Sequence, residues 1–280
     1  MKNGRLTLVP SGGLANRMRA IASAHCLCQQ TDSSLQVVWF RDWALNAPFN
    51  SIFLPQGLTI REASPIDYLL NDRPRKRNLW IPKFIQHAVY EHAIYENDID
   101  HLRTSGFNFE AWLRGHSCYM SDFNEFGTVP DDVYRQLFVP TEIIRQKIQV
   151  YTNRFTSHTI GMHIRRTDNV YAIRMSPTEL FVERAAHETD RHSDTTIFLA
   201  TDDEQVKELF RHRFGSRIIT PEEQADRNSI EGILNAAAEM YTLAETSIIY
   251  GSAWSSFSEM AAKIGNRALT VVTSDNHEGC

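Results

Sequence analysis

Thr195-Thr196-Ile197-Phe198-Leu199-Ala200-Thr201-Asp202-Asp203-Glu204 runs from a β-branched and aromatic segment straight into a hydroxyl–acid cluster. Thr195–Ala200 reads as a buried strand, and Thr201 to Glu204 has the spacing of a capping box that opens a helix. The same unit recurs on both sides. Upstream, Thr159–Arg165 is a strand, and Ser176-Pro177-Thr178-Glu179 starts a helix, with Ser176 as cap, Pro177 in the first turn and Glu179 closing the box. Downstream, Arg217–Thr220 is a short strand, and Ile230, Ile233, Leu234, Ala237, Met240, Tyr241 and Ala244 form a helical stripe. Ser247–Tyr250, Ser256–Ile264 and Ala268–Thr273 follow as strand, helix and strand. Five strands alternating with four helices predict a doubly wound, Rossmann-like parallel sheet over residues 151–280.

The first half opens the same way. Leu6–Val9 is a short buried strand, Ser11-Gly12-Gly13 a tight turn, and from Asn16 the residues Met18, Ile21, Ala22, Ala24 and Leu27 keep helical spacing. Leu35–Phe40 is a second strand. Residues 41–130 hold six prolines, many aromatics and no sustained periodicity, so loops and short elements are expected there, some lining an acceptor side. The chain thus divides into an N-terminal domain, 1–150, and a C-terminal domain, 151–280, an α/β architecture of two Rossmann-like domains.

Composition bounds the function. With 29 Lys and Arg against 34 Asp and Glu, net charge is −5, and 42 % of the 280 residues are apolar. Such a chain builds an ordinary core, and nothing basic points to a nucleic-acid partner. Residues 1–150 carry 16 basic and 15 acidic side chains, a net of +1; residues 151–280 carry 13 and 19, a net of −6. An anion bound by the second half must therefore meet locally concentrated positive charge. The apolar run Leu6–Val9 is too short for a signal-peptide core, and no stretch reaches the ~18 apolar residues of a membrane helix. A cytoplasmic protein is expected. Cys26, Cys28, Cys118 and Cys280 match no zinc or redox spacing, and the 11 histidines suggest no metal site. Arg73-Pro74-Arg75-Lys76-Arg77 reads first as a solvated loop, with contact to an anionic partner as the alternative.

In a doubly wound sheet the residues just beyond the strands meet the ligand. After the first strand of the second half comes His163-Ile164-Arg165-Arg166-Thr167-Asp168. An arginine there can fork onto a phosphate through two parallel hydrogen bonds. After the fourth strand, Gly251-Ser252-Ala253-Trp254-Ser255-Ser256-Phe257-Ser258 runs into a helix, and small hydroxyls with free amides at a helix N-terminus suit an anion. Asp202 and Asp203 read first as helix-start acids, with a metal or a sugar hydroxyl as the alternative, though no further carboxylates nearby require a metal. Ser11-Gly12-Gly13-Leu14-Ala15-Asn16-Arg17 is neither a dinucleotide fingerprint nor a P-loop.

Gly12-Gly13-Leu14-Ala15-Asn16-Arg17-Met18-Arg19 resembles the N-terminal G-G-L-G-N-R-L-R segment of GDP-fucose-dependent fucosyltransferases, with Ala15 in place of the third glycine. His163 to Asp168 resembles the H-x-R-R-x-D motif of the α-1,6-fucosyltransferases, including the rhizobial nodulation enzymes. Thr201-Asp202-Asp203 and Ser255-Ser256 fall in the order of that family's later motifs. The resemblance implies a GT-B-like fold with the donor bound mainly to the second domain. It implies inverting, metal-independent transfer of fucose from GDP-fucose to a glycan, with no cofactor. Arg165 would stabilise the leaving diphosphate, supported by His163 and Arg166. Ser255 and Ser256 would hold phosphate oxygens, Asp203 and Glu239 the guanine or ribose, and Gly13, Asn16 and Arg17 the sugar or acceptor. No acid lies between Asn169 and Thr178, where the α-1,6 enzymes carry one, so Asp168 comes first and Glu179 second as general base. A non-catalytic nucleotide-sugar-binding relative, a transferase using another GDP- or UDP-sugar, and an unrelated phosphate-handling enzyme stay open, as does peripheral membrane association.

Overall fold

The structure is a computed structural model and describes residues 3–67, 83–166, 170–223 and 226–274. The basic run 73–77 and Cys280 lie outside these residues. The chain divides into two compact units, Met1–Thr141 with Arg227–Ile230, and Glu142–Asp226 with Glu231–Cys280. No helix among the described residues is long and apolar enough to cross a membrane.

The first unit is built on β1 (Arg5–Pro10), α1 (Leu14–Gln30), β2 (Ser34–Trp39), α2 (Phe49–Ile52), β3 (Phe53–Leu54), β4 (Ile60–Glu62), α3 (Lys83–Val89), β5 (His92–Ile94), α4 (Glu96–Thr104), α5 (Phe109–Leu113), β6 (Ser117–Asp122), α6 (Asp131–Leu137) and β7 (Val139–Pro140). Its five-stranded sheet has the order β4-β2-β1-β6-β5, all parallel, while β3 and β7 pair antiparallel. The expectation of loops and short elements over 41–130 therefore needs correcting at β6, a full strand beside β1. Its sequence, Ser-Cys-Tyr-Met-Ser-Asp, lacks β-branched residues and alternation, yet five of its six residues are buried. A strand covered on both faces need not alternate, and thiol, thioether and phenol groups fill this one.

The second unit comprises α7 (Glu142–Thr152), β8 (Thr159–Ile164), α8 (Val170–Met175), α9 (Thr178–Arg191), β9 (Thr196–Thr201), α10 (Glu204–Phe214), β10 (Ile218–Ile219), α11 (Ile230–Ala244), β11 (Ile249–Ser252), α12 (Ser256–Gly265) and β12 (Leu269–Val272). The sheet order is β10-β9-β8-β11-β12, parallel throughout. The five strands read from the sequence are all present. One core joins Ile160, Met162, Ile164, Ile197 and Leu199 of the sheet to Phe181, Ala185, Val206 and Phe210 of two covering helices.

Two helix starts differ from the sequence expectation. Pro177, not Ser176, holds the cap position of α9, and its missing N–H costs nothing at a helix start. Ser176 is fully buried, and its hydroxyl accepts the Ala253 N–H instead. Asp203, not Thr201, caps α10, accepting the Gln205 N–H at 2.8 Å.

The C-terminal ends of α12 and α11 meet with almost no clearance. A Cβ on Gly265 would lie 2.1 Å from the Ala244 carbonyl oxygen, which also accepts Arg267 Nε. Neither backbone atom can rotate away. Gly265→Ala is expected to destabilise the second unit by about 3 kcal/mol, an overpacking cost, read as a lowered apparent Tm by calorimetry. An unchanged Tm would show that the two helix ends can part freely.

Candidate functional site

Strand order reverses in the second sheet between β8 and β11, and in open α/β sheets ligands lie beyond the carboxyl ends of the strands at such a point. The register sets Gly251 opposite His163, so the segments leaving these strands emerge side by side. Serine hydroxyls join them. Ser252 Oγ accepts the Arg165 N–H at 3.1 Å and donates to the His163 carbonyl at 3.3 Å. Ser255 Oγ lies 3.1 Å from His163 Nδ1. Between them the chain turns through Trp254, at φ +56° and 76 % exposed, before Ser255 caps α12. Ser256 follows half-buried in the first helical turn.

The His163 ring stacks on Phe257, centroids 4.7 Å apart. Burial first, and then the nearby Arg165 charge, push its pKa down to about 4. The imidazole is thus neutral at pH 7, and the positive charge at this strand end belongs to the arginines.

The two arginines have different tasks. Arg166 is committed to the fold: Nε donates to Thr178 Oγ1 at 2.9 Å, and its terminal nitrogens donate to the Ser176 carbonyl at 2.5 Å and the Arg165 carbonyl at 3.3 Å. Its N–H donates to Asp202 Oδ1 at 2.7 Å, tying the end of β8 to that of β9. Arg165 is half-buried at the strand end beside His163. Ser252 and Asp202 hold the backbone N–H groups of Arg165 and Arg166, and Ser176 and Thr178 hold the Arg166 side chain. Of these, Ser252 fell within a segment read from the sequence as an anion site, while Asp202, Ser176 and Thr178 read first as helix-start residues.

Glu239 lies on α11, whose residues are buried on nearly every side. Only 8 % exposed, its carboxyl is pushed up to about 8 by burial, against the opposing pull of Lys207. Asp203 is half-buried at its cap position, and Glu179 is exposed in the first turn of α9. Asp168 lies outside the described residues. Among the described residues, the one His/Asp/Glu/Cys group with metal-ligand spacing is His158, Glu188 and His192, at the other end of β8.

In the first unit the turn after β1 needs Gly12 at φ +79°, where a Cβ would also press on Asn16 Nδ2 at 3.0 Å. Gly13 caps α1 without a side-chain bond, and Asn16 is half-buried. Arg17 departs from the expectation that it faces a ligand. It is 0 % exposed, donates to the carbonyls of Gly12 at 2.9 Å and Phe40 at 2.6 Å, pairs with Asp42 at 3.0 Å, and lies 4.6 Å over Trp39. It fixes the turn from within.

No protein-family model matches this sequence, and no curated protein matches it. Solved structures do. NodZ α-1,6-fucosyltransferase soaked with GDP-fucose aligns with a TM-score of 0.65 at 18 % identity, over 94 % of this chain and 93 % of that one. NodZ from Bradyrhizobium gives the same score and identity over 93 % of each chain. An Arabidopsis thaliana FUT1 variant in complex with GDP gives 0.66 at 15 % identity, over 96 % of this chain and 70 % of that one. The chain has the GT-B-like α/β fold of these enzymes.

Proposed function

We propose that this protein is a glycosyltransferase that transfers fucose from GDP-fucose to a glycan acceptor, with inversion and without a metal ion. The observation that carries this reading is the arrangement at the switch point. Arg165, the neutral His163 and the N-terminus of α12 converge there through Ser252 and Ser255, in a fold whose solved examples include complexes with GDP and GDP-fucose. As the glycosidic bond breaks, the leaving diphosphate gains negative charge. A guanidinium and helix-end amides already in place stabilise that charge without reorganising. Arg165 would contact the diphosphate, with Ser255 and Ser256 on its oxygens. Arg166 positions Arg165 and the α9 start. Asp203 and Glu239 are the proposed partners of ribose and guanine, and Gly13 and Asn16 those of sugar or acceptor, with Arg17 shaping their turn. The acceptor hydroxyl needs a base, for which Asp168 and then Glu179 are the candidates. We place the activity in the cytoplasm, in glycan biosynthesis.

Thermal shift with GDP, GDP-fucose, UDP and ADP tests the reading. At a ligand concentration about 100-fold above Kd, binding adds about 2.7 kcal/mol of stability. GDP and GDP-fucose are expected to raise the Tm by several degrees in metal-free buffer, and UDP and ADP by much less. No shift with either guanine nucleotide overturns the proposal. A larger shift with UDP points to a different nucleotide sugar, and binding without transfer to a non-catalytic relative.

A further inference from the structure

The opposite end of the second sheet carries a cluster with no part in the strand-end site. His158 immediately precedes β8, while Glu188 and His192 stand one turn apart at the end of α9. One potential ligand atom from each of the three lies within 4.8 Å of the others. His158 Nε2 is 3.3 Å from Glu188 Oε2, and the rings of His158 and His192 have centroids 4.0 Å apart. The second carboxylate oxygen, Glu188 Oε1, accepts the Tyr250 hydroxyl at 2.7 Å. Thr195 Oγ1 donates to both the Glu188 and His192 carbonyls, at 3.2 and 2.8 Å, fixing the backbone that carries two of the three groups.

The 3.3 Å spacing is long for a charge-assisted hydrogen bond, which closes to about 2.7–2.9 Å. It matches the edge, about 3.4 Å, of a tetrahedron built on metal bonds of about 2.0–2.1 Å. Glu188 is almost buried, and both of its carboxylate oxygens have a partner, the Tyr250 hydroxyl on one and His158 on the other. A carboxylate with one oxygen oriented by a phenol and the other 3.3 Å from an imidazole nitrogen is a ligand with its outer-shell partner already in place. His192 is exposed, so its ring can swing to close the remaining distance.

We propose that His158, Glu188 and His192 bind a first-row divalent cation of the zinc class through two imidazole nitrogens and one carboxylate oxygen, leaving a fourth position for water. Two imidazoles favour such an ion over magnesium or calcium. The bound ion would join the start of β8 to the end of α9. His158 and His163 are five residues apart along the strand, about 17 Å, so this ion takes no part in donor binding. The proposal is independent of the fucosyltransferase reading.

The test titrates zinc into the full chain against a chelating dye, with magnesium as the comparison, and follows the Tm in parallel. One zinc per chain is expected, with a raised Tm that EDTA reverses and no competition from equimolar magnesium. His192→Ala removes an exposed side chain and should weaken zinc binding about 100-fold. Tyr250→Phe keeps all three ligands and should weaken it about tenfold. Parent-like zinc affinity in His192→Ala, no saturable one-to-one binding, or equal competition by magnesium overturns the proposal. The GDP shift in the same samples is expected to be the same with and without zinc, which keeps the two proposals separable.

Discussion

Arg165→Ala is expected to lower turnover about 10³-fold while the protein stays folded. The magnitude is that of removing one preorganised donor from developing negative charge, about 3–4 kcal/mol of transition-state stabilisation. The folded state should tolerate the change. Arg165 is half-buried at a strand end, outside the apolar core, and its main-chain N–H, which alanine keeps, donates to Ser252 Oγ. Arg165→Lys restores charge but not the planar fork, so it should recover only part of the rate. Steady-state kinetics with GDP-fucose, beside circular dichroism and Tm, separates the outcomes. A folded Arg165→Ala protein turning over at the parent rate removes the leaving-group role.

Glu239→Gln should move stability and GDP affinity in opposite directions. The pKa of Glu239 is about 8 in the folded chain, against 4.5 for an ordinary glutamate. Between those two values the unfolded chain releases this proton while the folded chain keeps it, so folding takes up a proton and stability falls as pH rises. The ceiling on that loss is about 5 kcal/mol, from 3.5 units at about 1.4 kcal/mol each. Glutamine carries no such linkage. Its Tm advantage over the parent should be larger at pH 8.5 than at pH 5.5, worth about 1–3 kcal/mol once the cost of burying the amide is included. An advantage equal at both pH values shows that the carboxyl is not held neutral. If guanine N–H groups meet this carboxyl, they favour its ionised form. GDP binding at pH 7 then releases a proton, seen by calorimetry in buffers of different ionisation enthalpy, and Glu239→Gln weakens GDP even as it stabilises the free protein.

The second unit was legible because its strands obey local rules. β8 and β9 are apolar and β-branched runs that end in hydroxyl, basic or acidic residues, so sheet and strand-end motifs could be read together. β6 was hidden because its burial is tertiary: covered on both faces, Ser117–Asp122 needs no alternation and shows none. The capping hydroxyls of Ser176 and Thr201 were misplaced because a serine or threonine before a helix has a local use and a distant one. For Ser176 the distant partner, Ala253, lies 77 residues on. Arg17 looked like a ligand contact because an arginine after a glycine turn carries charge; its burial depends on Asp42, Trp39 and the Phe40 carbonyl, which the sequence does not place beside it. Glu188 and His192 have the one-turn spacing of a ligand pair, but the third group, His158, comes from 30 residues upstream.

The pairing of β8 with β11 also governs when the site exists during folding. Gly161 meets Ile249 across this ladder, so β8, β9, β10 and three long helices, α9, α10 and α11, are all made before β11 leaves the ribosome. Pairings between residues so distant in sequence close late, after the local helices and hairpin-length contacts, because the loop-closure entropy is lost before the contact is gained. Until β11 docks, β8 has an unpaired edge, Arg165 lacks Ser252 and His163 lacks Ser255. A nascent or partly refolded chain in which β11 has not docked therefore lacks the strand-end site, and under the proposed function GDP binding is expected to recover only once β8 and β11 pair.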